Sequence, residues 1–124
     1  MYSVKIRDHI MIAHSLKDEI FGPARSLHGA TYVVDVTFYS VSIEPHNVVI
    51  DIALAHKLLH DVLEPLRYKN LDDMDEFRGI LTTTEYMARY IHDAIKEKAI
   101  GHFSGNIAVT LGESHVEWAS YEGE

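Results

Sequence analysis

An α+β domain, with two helices on one face of an antiparallel sheet, is predicted from three features of residues 1 to 124. Two long stretches near the start alternate apolar and polar residues. Two stretches in the middle repeat apolar residues at spacings of three and four, and two shorter alternating stretches close the chain. Strands collected before and after the helices, rather than interleaved with them, favour antiparallel pairing.

The first two strands are predicted at residues 3 to 12 and 31 to 42, where Val4, Ile6, Val34, Val36 and Phe38 mark the apolar face. Between them Phe21-Gly22-Pro23-Ala24-Arg25-Ser26-Leu27-His28-Gly29 breaks the period, so the pair is a wide hairpin. A third strand is expected over Asn47 to Ile52, after the turn at Glu44-Pro45-His46. The first helix follows from Ala55, Leu58, Leu59, Val62, Leu63 and Leu66 on one face. Its other face carries His56, Lys57, His60, Asp61 and Glu64. The two histidines are four apart, but Lys57 stands where a metalloprotease helix has glutamate, so this face reads as solvated.

Thr82-Thr83-Thr84-Glu85 fits a capping box in which Thr82 accepts from the third backbone amide and Glu85 reaches back to the cap. The second helix starts there, with Met87, Ile91, Ala94, Ile95 and Lys98 as its buried stripe and Gly101 at its end. Asn106 to Leu111 and His115 to Tyr121 then read as two strands divided by Gly112. The predicted order is three strands, two helices, two strands.

With 47% hydrophobic and 24% charged residues the chain has the material for one core, and it contains no run of about 20 apolar residues that would cross a membrane. The N-terminus has no basic segment followed by an apolar stretch, so a cytoplasmic location is expected. A net charge of -8 repels phosphate backbones, and no basic cluster offsets it; a nucleic-acid partner is not expected. The absence of cysteine removes thiolate ligands and thiol nucleophiles together.

Five segments carry a family resemblance. Met11-Ile12-Ala13-His14-Ser15-Leu16, Leu27-His28-Gly29-Ala30-Thr31-Tyr32, Pro65-Leu66-Arg67-Tyr68-Lys69-Asn70-Leu71-Asp72, Thr82-Thr83-Thr84-Glu85 and Leu111-Gly112-Glu113-Ser114 follow one another in a recognisable order. Together they resemble the 6-pyruvoyl- and 6-carboxy-tetrahydropterin synthases over nearly the whole chain. The resemblance implies the tunnelling fold (T-fold), in which several subunits close a barrel with ligand sites between neighbours. A homo-oligomer, trimer or hexamer, is therefore expected.

The departures from the family pattern matter as much. The resemblance implies three zinc-binding histidines; two positions keep them, His14 and His28, and the third is Ala30, whose methyl group has no electron pair to donate. His46 sits in a proline-containing turn and is a poor substitute. Zinc is therefore expected to be absent or substoichiometric. The family's catalytic cysteine falls on Ala24, and its proton-transferring Asp and His fall on Arg67 and Tyr68. Arg stays charged and offers only donors, so the relay's polarity is inverted. Arg67 either meets an anionic ligand tail or pairs with Glu64 or Asp72.

The binding end persists. Glu113 matches the family's anchor for the pterin edge, where a carboxylate accepts from two adjacent N–H groups, and Thr83 and Thr84 match the pocket floor. Taken singly, Glu113 reads as a strand-end carboxylate and the threonines as a helix cap. The expected function is binding of a pterin-like or purine-like ligand without the family's lyase activity. One alternative is metal-free chemistry on a pterin using Tyr68 or His28; another is a ligand-free oligomeric scaffold.

Overall fold

The computed structural model describes residues 1–124. Strands β1 (Tyr2–His14) and β2 (His28–Ser40) pair antiparallel along their full length, from Tyr2 opposite Ser40 to His14 opposite His28. Strands β3 (Ile107–Gly112) and β4 (Trp118–Gly123) extend the sheet in the order β1-β2-β3-β4. Helices α1 (Ile52–Leu63) and α2 (Thr84–Lys98) join its two halves and cover one face.

The period-two alternation decides which face that is. Ile6, Ile10 and Ile12 of β1, Tyr32, Val34, Val36 and Phe38 of β2, and Ile107, Val109 and Leu111 of β3 all point into one core. Ala55, Leu58, Leu59, Val62 and Leu63 of α1 meet them with Met87, Ala88, Ile91 and Ile95 of α2. Truncating a fully buried side chain such as Leu59 to alanine should cost about 2 to 5 kcal/mol. The opposite face of the sheet mixes polar residues with exposed Met11, Val33 and Trp118, and there Arg7 lies directly across from Asp35, with hydrogen bonds of 2.7 and 3.0 Å.

The apolar stripe of α1 is as predicted, with Leu66 buried just beyond the helix. Its polar face is solvated, with Lys57 bonded to Asp61 at 2.6 Å and His60 within 3.5 Å of Glu64. The expected strand over Asn47 to Ile52 does not form. Asn47 turns the chain at φ 63, Ile50 anchors the segment in the core, and Asp51 accepts from the Ala53 amide as the N-cap of α1.

The second helix begins one residue later than predicted. Thr83, not Thr82, is the N-cap, accepting from the Tyr86 amide at 3.1 Å, so Glu85 is not placed to close a capping box. Thr82 is claimed instead by His14. Lys98 is exposed, and Ala99 takes the buried place in that turn. Gly101, at φ 86, lies just past the helix in the left-handed conformation that glycine adopts without strain. Gly112 is the last residue of β3 rather than a divider, and β4 starts at Trp118 instead of His115. The Trp118 indole covers Gly112 so closely that a Cβ would lie 3.1 Å from it.

Candidate functional site

The antiparallel register builds one half of the site. Because His14 and His28 are the last pair of the β1–β2 ladder, their rings meet edge to face with centroids 4.7 Å apart. His14 is buried, and its Nδ1 lies 3.0 Å from the Thr82 hydroxyl. Burial, and then the neighbouring His28, hold the His14 imidazole below its ordinary range against the opposing Thr82 contact. His28 Nδ1 lies 2.8 Å from the Ser26 carbonyl, which can only accept, so Nδ1 is the donor and the neutral tautomer has its lone pair on Nε2. Beside them the Asp72 carboxylate accepts from the Ser15 hydroxyl at 2.5 Å and from the Ser15 amide at 3.3 Å, fixing the chain where it leaves β1.

Ala30 lies two residues along β2 from His28, on the same face. No group of three or more His, Cys, Asp or Glu side chains is placed to hold a metal ion. The donor set here is two histidines, one short of the three protein ligands of a catalytic zinc site, and these residues do not fit that ion. Ala24 closes the loop after β1 through its carbonyl, which accepts from the Leu16 amide at 3.0 Å.

Arg67 and Tyr68 face different surroundings. The Arg67 guanidinium donates to the His9 carbonyl at 2.8 Å, to Asp8 at 2.9 Å and to Glu64 at 3.2 Å. Of the two readings of Arg67, the pairing with Glu64 is present, with Asp8 rather than Asp72 as second partner. Tyr68 follows at φ 58, a left-handed conformation unusual for a bulky residue, held by its amide bonding the Met11 carbonyl at 2.7 Å. The residue is 81% exposed.

The other half of the site lies at the start of α2. Val33 pairs with Gly112 at the end of the β2–β3 ladder, so Tyr32 and Glu113 are the residues that follow this pair on the two chains. Glu113 lies on the exposed turn after β3, its amide donating to the Glu117 carbonyl at 3.0 Å. Its carboxyl is raised above the ordinary range by lost solvation first and then by Glu117, with the Thr84 hydroxyl opposing and Glu85 adding. Thr84 is buried, whereas Thr83 spends its hydroxyl oxygen on capping α2.

The three threonines join the halves: Thr82 touches His14, Thr83 caps the helix, and Thr84 lies close to both Tyr32 and Glu113. His28, Ala30 and Tyr32 share one face of β2, so the histidine pair and the buried Tyr32 lie along one strip of that strand. Sequence reasoning did not single out Tyr32. The available signal was a tyrosine at a core-facing position of β2, where phenylalanine fills the same space without a hydroxyl to satisfy.

This sheet with its two helices is that of the T-fold. The structure superposes on Caenorhabditis elegans 6-pyruvoyl tetrahydropterin synthase with a TM-score of 0.85 and 25% identity, covering 99% of this chain and 96% of that one. For the Plasmodium vivax enzyme of the same name the TM-score is 0.78 at 16% identity, covering 99% of each chain, a likeness of fold alone. In sequence, the chain is 32% identical over 79 residues to a Dictyostelium discoideum 6-pyruvoyl tetrahydrobiopterin synthase, covering 62% of this chain and 58% of that protein. It is also 28% identical over 92 residues to the 6-carboxy-5,6,7,8-tetrahydropterin synthase of Bacillus subtilis (strain 168), covering 71% of this chain and 61% of the relative. The match thus spans less than two thirds of either relative's length. The family model described as 6-pyruvoyl tetrahydropterin synthase matches residues 3–124, and the chain belongs to that family. No helix is long and apolar enough to cross a membrane.

Proposed function

We propose that this protein binds a pterin-like or related purine-like ligand through Glu113 and the start of α2, without the zinc-dependent lyase chemistry of its family. The observation that carries this reading is the convergence of Glu113, Thr84 and Tyr32 at the end of β3, beside a zinc position that has two donors. A pterin presents a ring N–H and an exocyclic amino group side by side, and a carboxylate accepts from both. Glu113 lies in an acidic setting with Glu85 and Glu117, which favours a donor-rich ligand edge over an anionic one. Thr83 contributes through the helix start it caps.

His14 and His28 mark the family's metal position, and Ala24, Arg67 and Tyr68 its lost acid–base groups. Arg67 already donates to three partners within its own protomer, which favours the structural pairing over an anionic ligand tail. Glu113 and Tyr68 are both exposed in one protomer, as expected if a neighbouring copy completes the site in a trimer or hexamer. β1 and β4 are the sheet edges that such closure would cover.

A second reading, metal-free acid–base chemistry, draws support from His28, whose Nδ1 is engaged by the Ser26 carbonyl and whose neutral tautomer presents its lone pair at Nε2. One experiment separates the two: metal analysis of the purified protein beside binding titrations with a panel of pterins and GTP, each mixture followed for turnover. Saturable binding of a pterin with no product supports the first reading. Product formation by metal-free protein supports the second, and no binding by any member of the panel removes both.

A further inference from the structure

Tyr32 is 1% exposed, and its hydroxyl makes no hydrogen bond of good geometry in the folded chain, although the Thr84 side chain lies close to it. It is the one buried side-chain polar atom so placed, because His14, Thr82 and His92 each have partners. Leaving such a hydroxyl unpaired is costly, and phenylalanine would fill the same volume without the cost. The phenol does not escape by ionising: burial pushes it up to about 12, with Glu113 and Glu85 adding to the Thr84-opposed shift, so it remains a donor.

Its position gives the hydroxyl a use. Thr84 lies close to both Tyr32 and Glu113. A 2-amino-4-oxo pyrimidine edge presents two donors followed by an acceptor, the carbonyl oxygen. Glu113 satisfies the donors; the acceptor needs an O–H or N–H aimed from the same side. Thr84 has one hydroxyl proton, and its direction is set by whatever donates to Thr84 Oγ1.

We propose that Tyr32 is a positioning residue that acts through Thr84: with ligand bound, its O–H donates to Thr84 Oγ1, turning the threonine proton toward the ligand's 4-oxo group. The hydroxyl left unpaired in the free protein is thereby satisfied in the complex. The consequence is selectivity for 4-oxo over 4-amino pteridines, since an amino group brings a donor to a donor. This inference rests on the binding reading above and adds the group that distinguishes the fourth ring position.

The test compares wild type, Tyr32→Phe and Glu113→Gln, titrated with a 2-amino-4-oxo pteridine and its 2,4-diamino counterpart, with ligand-free melts alongside. Tyr32→Phe should melt at the same temperature as wild type or higher. It should lose roughly three- to tenfold in affinity for the 4-oxo ligand and much less for the diamino one, narrowing the selectivity ratio. Equal affinities, or equal losses on both ligands, would overturn the proposal, and so would a lower ligand-free melting temperature, which would mean that the hydroxyl was already paired. Glu113→Gln separates this failure from that of the broader reading: binding lost in Glu113→Gln but untouched in Tyr32→Phe sinks only the role of Tyr32. Binding absent in wild type, or untouched in Glu113→Gln, sinks both.

Discussion

Arg67 stands at the position that the family resemblance assigns to an acidic proton-transfer residue, and its replacement by methionine tests whether it holds the fold or a ligand. Methionine keeps most of the apolar stem and deletes three hydrogen bonds, to the His9 carbonyl at 2.8 Å, Asp8 at 2.9 Å and Glu64 at 3.2 Å. The Glu64 side chain is 59% exposed, so that contact contributes about 0 to 1 kcal/mol. Asp8 and Arg67 are more sheltered, at 25% and 21%, and the bonds to Asp8 and His9 contribute about 1 kcal/mol each. The loss should therefore total about 2 to 3 kcal/mol. An unfolding entropy of about 2.1 cal/mol/K per residue gives roughly 0.26 kcal/mol/K for this chain, so the melting temperature should fall by about 8 to 12 °C. Arg67→Lys should recover part of that by keeping the charge near Asp8. Thermal melts of the three proteins, beside titrations with a phosphorylated and an unphosphorylated pterin, decide the matter. Unchanged melting, or a selective loss of the phosphorylated ligand at unchanged melting temperature, would refute the structural role.

Other outcomes follow from the same geometry. Ala30→His adds a third imidazole on the face of β2 that carries His28, so zinc uptake by elemental analysis should rise by at least about tenfold while lyase activity stays absent. The His14 imidazole is held below its ordinary 6.5, so the unfolded chain binds this proton at higher pH than the folded one. Stability should be full above 6.5 and fall as pH drops from there through the lower folded value, and His14→Gln should flatten that slope in melts recorded across it. Light scattering should find a trimer or hexamer at micromolar concentration; a 14.1 kDa monomer alone would contradict the proposed site between neighbours.

The parts of this fold that were legible in sequence are those where one physical signal acts alone. The Leu58, Leu59, Val62, Leu63 stripe has no competing reading, and the Val34, Val36, Phe38 alternation fixes both the strand and its inward face. The failures arise where two demands meet. Val48, Val49 and Ile50 look like a strand, but Asp51 is needed as the cap of α1, and the chain turns at Asn47 before any ladder can form. Three consecutive threonines offer three equivalent caps. Only the tertiary fact that buried His14 takes Thr82 moves the cap to Thr83. The positions of His14, His28 and Glu113 followed from motif order, whereas their meeting at the threonines depends on long-range register. Tyr32 was invisible as a site residue because an aromatic on a strand's inner face is ordinarily core, and only the unpaired hydroxyl marks it as something more.

The most direct test of the central claim is the affinity of Glu113→Gln for a dihydropterin, measured by fluorescence titration against wild type. Glutamine keeps the shape of the side chain but turns one acceptor into a donor facing a donor, which should weaken binding by about 2 to 5 kcal/mol while the melting temperature of this exposed turn position stays unchanged. Because the Glu113 carboxyl is raised, wild-type affinity should fall with acidification, beginning at a pH above the ordinary carboxylate range, and the glutamine variant should lack that dependence. Equal affinities for the two proteins, with the same pH profile, would remove Glu113 from the site and contradict the account.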